Sequence, residues 1–194
     1  MARPREFDKH AVLLQAMRTF WSKGYEATTM ADLLKATGLS KSSLYDTFGS
    51  KRELFMAAFN AYRVERYTQL ENRLTSGLSG YDGIESFLDM VLQHARQPEQ
   101  TFGCMSCNEA VELGPHDPEI QKLVEKDFEG IEQAFETAID RGKQDGSITT
   151  RLGSRQLARL FTVTLQGAQV LVRASANMVR LEDAIAELLR LLKN

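Results

Sequence analysis

Apolar residues recur at three- and four-residue spacing along nearly the whole chain, and no stretch alternates long enough to read as a strand. Leu13, Ala16, Met17, Phe20 and Trp21 mark a first helix that Gly24 stops. In "TTMADLLKATG", Thr29 is placed to cap a second helix with Asp32 three residues on, and Gly38 sits where a left-handed terminator belongs. Ser40 opens a very short third helix that Gly49 must end. Ser50 opens a fourth, with Glu53 in the capping-box position. Nothing breaks that fourth helix before "SGLSGYDG" at residues 76–83, so about 26 residues make a rod near ~40 Å long. Further helices follow over "DGIESFLDMVLQHARQ", ending near Pro98, and over the short "GCMSCNEAVELG". A long seventh has Pro118 in its first turn, an eighth is capped by Ser154 and runs to about Ala176, and a ninth covers 180–192. The fold class is all-α with nine helices. The first three, joined by short turns, form a helix-turn-helix unit.

The third helix carries the most informative pattern. Leu44 and Phe48 point toward the first two helices, whereas Ser42 and Asp46 point almost the opposite way, with Ser43 and Tyr45 on the flanks. A helix packed on one side and studded with short polar groups on the other fits a major groove ~12 Å wide. The hydroxyls of Ser42 and Ser43 suit a phosphate or a base edge, and the Tyr45 hydroxyl suits a phosphate. Lys41 and Lys51 add cations, and the cap at Thr29 is a second amide-plus-hydroxyl phosphate site. Asp46 repels phosphate but accepts from a cytosine amino group. Arg3 and Arg5, in "RPR", fit an arm along the backbone or in a minor groove.

Composition sharpens this picture. With 43% hydrophobic and 26% charged residues the chain is ordinary for a globular protein, and its net charge of −2 speaks against a polyanion partner. The distribution of charge points the other way. Residues 1–52 hold nine Lys/Arg and five Asp/Glu, a net of +4, while the remaining 15 Lys/Arg and 21 Asp/Glu leave −6 on residues 53–194. No apolar run approaches a membrane span and no secretory signal follows the basic start, so a cytoplasmic protein is expected. No activated serine motif, phosphate loop or HExxH is present, and no enzyme activity or cofactor is expected.

The span from "RPREF" through "FWSKGYEATTMADLLKATGLSKSSLYDTFGSKRELFMAAF" resembles the DNA-binding domain of TetR/AcrR-type bacterial regulators. Phe20, Gly24, Tyr25, Thr28, Thr29, Leu33, Gly38, Ser40, Leu44, Tyr45, Phe48, Ser50, Lys51 and Leu54 carry the likeness. The resemblance implies a helix-turn-helix DNA-binding domain over residues 1–50 and a ligand-binding and dimerisation domain over 51–194. It implies a homodimeric repressor, released from a near-palindromic operator by a small-molecule effector. Ser42, Asp46 and Thr47 depart from many relatives, so the operator sequence does not carry over.

For the dimer, the resemblance favours a four-helix interface from the last two helices of each subunit. Phe161, Leu165, Ala168 and Val172 form the stripe on the eighth, with Ile185, Leu188 and Leu192 on the ninth. The same stripes also fit a core of their own. A pocket among the fourth to seventh helices is implied, with Phe59, Tyr62, Met90, Phe102 and Phe128 as candidate linings. Cys104 and Cys107, three apart, are expected on one helical face with Val111, with Cys104 in the first turn, where the helix dipole favours thiolate. Similar "GC" helices occur in TetR-type regulators that sense electrophiles and oxidants. Three readings stay open for the pair: inert buried cysteines, a thiol sensor in which Cys104 reacts, or a metal site completed by His94 or His116. A thiol oxidoreductase built on the CxxC lacks the βαβ setting such motifs use.

Overall fold

The computed structural model describes residues 7–97, 102–175 and 177–193, and among them the secondary structure is helical, in nine helices. They are α1 (Lys9–Lys23), α2 (Met30–Thr37), α3 (Lys41–Phe48), α4 (Lys51–Ser76), α5 (Gly80–Ala95), α6 (Met105–Glu112), α7 (Pro118–Gln144), α8 (Ser154–Arg173) and α9 (Val179–Leu191). The chain forms two compact units that divide between Glu65 and Arg66, inside α4. Packing thus draws the boundary beyond residue 50, because Leu54, Phe55, Ala58 and Phe59 of α4 are buried with the preceding helices' apolar faces.

The first unit is built around one aromatic cluster. α1 buries Val12, Ala16, Met17 and Phe20, which share one face of the helix. Phe20 meets Phe55 edge-on with ring centroids 5.2 Å apart, and Tyr25 lies 4.7 Å from Phe55. Each buried ring contributes roughly 2–3 kcal/mol of apolar transfer. Gly24 ends α1 at φ 89°, and its N–H bonds the Phe20 carbonyl. In the turn that follows, the buried Thr28 hydroxyl donates to the Gly24 carbonyl at 2.6 Å, so the polar group inside this turn is satisfied. Gly38 closes α2 in the left-handed conformation, and Leu33 and Leu44 fasten α2 and α3 to the core at zero exposure.

The second unit buries Leu70 and Leu74 of α4 with Ile84 and Leu88 of α5, Phe135 and Ile139 of α7, Phe161 and Leu165 of α8, and Ile185 and Leu188 of α9. Glycine permits the tightest approach. A Cβ on Gly80 would lie 2.2 Å from the Gly142 amide nitrogen, so α5 meets α7 backbone to backbone. Arg141 secures the α4–α5 turn by donating to the carbonyls of Leu74 at 2.8 Å and Ser79 at 2.7 Å. The stop expected at Pro98 lies outside the described residues, and α5 itself ends at Ala95. Two expectations on element ends are corrected. Ser154 is the first residue of α8 rather than its cap, a place taken by Gly153, and α8 ends at Arg173.

Candidate nucleic-acid interface

Four helices start in the first unit, and the starts of α2, α3 and α4 differ in their electrostatics. At α2 the Thr29 hydroxyl accepts from the Asp32 amide at 3.1 Å and donates to Asp32 Oδ2 at 2.7 Å, while the Thr29 N–H bonds the same oxygen. Lys23 pairs with the other carboxyl oxygen. The Lys23 bond first, and the Thr29 bonds next, hold the Asp32 carboxyl well below the usual carboxylate range. At α4 the Ser50 N–H donates to Glu53 Oε2 at 2.7 Å and Ser50 Oγ accepts from the Glu53 amide at 3.2 Å, and the Ser50 contacts lower the Glu53 carboxyl as well. Both starts therefore carry a carboxylate where a phosphate would sit. The capping boxes expected from the sequence are present, and each weakens the phosphate site expected at the same place.

The start of α3 is different. Its first turn holds no acid, and its cap is a cluster of neutral hydroxyls. Ser40 Oγ accepts from the Ser43 amide at 3.2 Å, and it lies 3.0 Å from Ser42 Oγ and 2.9 Å from Ser43 Oγ. The helix dipole at this end is unopposed by a carboxylate, which makes it the N-terminus best suited to an anion. Lys41, Ser42, Tyr45 and Asp46 are exposed and Ser43 is half-buried, while Leu44 is fully buried behind them. Lys41 Nζ lies 5.9 Å from the Tyr45 ring centroid, and Lys51 Nζ stands 4.4 Å over the Tyr25 ring, a cation–π arrangement that fixes a charge near the unit's surface. Arg3 and Arg5 lie outside the described residues.

The residues expected to line an effector pocket are scattered. Phe59 stacks on Phe55 at 5.8 Å and Tyr62 meets Trp21 at 5.0 Å, so both belong to the aromatic core of the first unit. Met90 lines a cleft of about 260 Å³ with Arg73, Asp82, Glu85, Ser86, Asp89 and Gln93, a polar surface rather than an apolar cage. Phe102 and Phe128 are half-buried, and the Phe102 carbonyl accepts from Asn108 Nδ2 at 3.0 Å and from Arg173 Nη1 at 3.1 Å.

Cys104 is the cap of α6 rather than a member of its first turn. Cys107 is buried, its sulfur against Gln166 Oε1, and a hydrogen bond with Cys104 together with burial pushes its thiol far above the ordinary range. Val111 lies one turn beyond Cys107 on the same side of α6, but it is 76% exposed where Cys107 is buried. Both cysteines are free thiols. Among the described residues no group of three or more His, Cys, Asp or Glu is placed to hold a metal ion.

The stripe expected at a dimer interface is buried within the unit. Phe161, Leu165, Ala168 and Val172 of α8, with Ile185, Leu188 and Leu192, are all at most 7% exposed inside the unit itself. They form its core. The outward face of α8 carries Leu160, Val163 and Val170, 43%, 69% and 55% exposed. Gly167 lies between them, with nothing within 4 Å of where its Cβ would be. The sequence shows this outward row as a 160, 163, 167, 170 spacing, but the larger side chains of the inner stripe dominate it. Glu109 escapes a sequence reading for a similar reason: its place one turn beyond Met105 on a buried face shows only when α6 is given its register.

Comparison with known proteins adds the context. Residues 12–58 match the family model described as "Bacterial regulatory proteins, tetR family", and residues 80–188 match "Tetracyclin repressor-like, C-terminal domain". The chain is 32% identical to the uncharacterized HTH-type transcriptional regulator YezE of Bacillus subtilis, over 95% of this chain and 96% of that one. It is 28% identical to the HTH-type transcriptional repressor ComR of Escherichia coli, over 97% and 90% of the two chains. Among solved structures, a cysteine mutant of the TetR family regulator CifR complexed with 26-bp double-strand operator DNA superposes with a TM-score of 0.85 at 26% identity, covering 97% of this chain and 98% of that one.

Proposed function

The chain belongs to the TetR family of bacterial transcriptional regulators, DNA-binding proteins rather than enzymes, and from that premise we propose that it is a homodimeric repressor released from its operator by a small effector. The observation that carries this reading is α3, which buries Leu44 and turns Ser42, Tyr45 and Asp46 outward behind a start free of acid. Lys41, Ser42, Ser43 and Tyr45 meet the duplex directly and Asp46 reads a base edge. Lys51 contributes a fixed charge, Thr29 plays a lesser part because its hydroxyl is committed to Asp32, and Arg3 and Arg5 add backbone contacts. The exposed Leu160–Val163–Gly167–Val170 face of α8 is the surface for the second copy, and a two-fold dimer presents two reading helices about one DNA turn apart, or a multiple of it. The protein acts in the cytoplasm, where its DNA lies. Among the described residues no helix is long and apolar enough to cross a membrane.

Release operates in the second unit. An effector shifts the equilibrium only through unequal affinity for the bound and released forms. Modification of Cys104 is a second route, supported by its place at an α6 start with no acid in the first turn, beside a Cys107 held as the thiol. One set of mobility-shift measurements tests the proposal, on operator DNA selected from random sequence. Wild-type protein and Lys122→Ala, altered on exposed α7 surface, are expected to bind alike. Lys51→Ala is expected to bind more weakly, with a salt slope shallower by about one. N-ethylmaleimide is expected to release wild-type protein but not Cys104→Ser. No selected sequence, or equal binding by both lysine variants, overturns the interface.

A further inference from the structure

Helix α6 reverses the usual partition of side chains. Val111 is 76% exposed, while Glu109, two residues before it, is 1% exposed. An acid is almost never fully buried unless something pairs it. Both Glu109 carboxyl oxygens are buried and neither has a hydrogen-bond partner. Its neighbours on the same helix are satisfied: Ser106 Oγ donates to Asp127 Oδ2 at 2.8 Å, and Cys107 lies against Gln166. Arg173 exerts a favourable charge on Glu109, yet its guanidinium donates to the Phe102 carbonyl. Such a group persists in a folded protein when a ligand or ion completes it.

We propose that the Glu109 carboxyl is the anchor of the effector site, and that the effector is a small organic molecule bearing a basic nitrogen with N–H donors, a primary amine or an amidine. Two carboxylate oxygens side by side take two N–H donors, and an amidinium supplies them as a matched pair. A bound cation offsets the charge that the buried carboxyl takes on when it gives up its proton, which a neutral or anionic molecule cannot do. A metal ion fits poorly, since no third donor group assembles there among the described residues. The buried Met105, one turn before Glu109 on the same face of the helix, supplies a polarizable apolar wall for the body of the molecule. Occupancy bears on α7 and α8, against which α6 packs.

This inference rests on the effector-responsive reading, and its test uses no DNA, so a failed operator assay and a failed effector assay are separately visible. The full chain is heated with benzylamine, with benzamidine, or with benzyl alcohol, a neutral molecule of similar shape. The amine or the amidine is expected to raise the unfolding midpoint of wild-type protein by roughly 3 °C or more, and the alcohol by much less. Glu109→Gln, which keeps the shape and loses the charge, is expected to lose that rise. If Glu109→Gln does not fold, the contrast between benzylamine and benzyl alcohol on wild-type protein decides. An equal rise with the alcohol, a rise retained in Glu109→Gln, or no rise with either nitrogen compound overturns the proposal.

Discussion

A carboxyl group sealed from water makes stability depend on pH, and Glu109 does so in the unusual direction. Burial is the main cause, the charge of Glu112 adds to it, and Arg173 opposes it, so that the carboxyl is pushed up to about 8. Asp127, on the adjacent α7, is engaged with Ser106. Because the folded value lies above the unfolded one, the folded chain holds an extra proton between the two. Stability is full below the ordinary glutamate range and falls as pH rises toward 8, at no more than ~1.4 kcal/mol per pH unit. Thermal unfolding from pH 5 to pH 8 should therefore show Glu109→Gln gaining steadily on wild type, and parallel curves would show that the carboxyl is solvated. Asp32 works the other way, since its lowered value is a contribution present above the ordinary aspartate range and lost in acid. Asp32 is readily legible in the sequence, because a capping box is local: Thr29, then Asp32 three residues on. Glu109 is not, because nothing within "SCNEAVEL" states which side of a short helix faces the protein.

Elements are legible wherever a local device sets their ends. Gly24, Gly38 and Gly49 end α1, α2 and α3 as their positions indicate, and Pro118 opens α7 behind Asp117. The start of the eighth helix is harder to place because Ser154 and Gly153 both suit a cap, and the chain uses the glycine. The orientation of α8 is harder still. Apolar residues cover two of its faces, and only the placement of α7 and α9 decides which is inside. Contacts between elements also fix the cost of substitutions. Gly80→Ala removes a glycine from α5, a change worth up to about 1 kcal/mol in helix propensity. Its new methyl would lie 2.2 Å from the Gly142 nitrogen, a backbone atom that cannot swing aside. The strain of overpacking, typically about 1–3 kcal/mol, outweighs the gain. A midpoint of unfolding lowered by several degrees is expected in calorimetry, and an unchanged or raised midpoint would refute the close approach.

At the scale of the whole molecule, the basic front and acidic remainder read from the sequence run in the same order as the two units, and the resemblance seen in residues 3–59 is matched by the family model over residues 12–58. The proposed two-fold reading of DNA requires two copies, and the outward α8 face proposed to join them is the place to interrupt them. Val163→Glu puts a charge on a residue that is 69% exposed and outside the core, so the fold should survive while self-association is lost. Sedimentation is expected to show monomer where wild type sediments as dimer, with operator affinity reduced accordingly, and a variant that stays dimeric would send the search to another surface. The crossing of Gly80 and Gly142 has a last consequence for how the second unit moves. Two backbones in direct touch have no side-chain layer on which to slide, so under the proposed effector response α5 and α7 are expected to tilt about that point, as a lever does about its fulcrum.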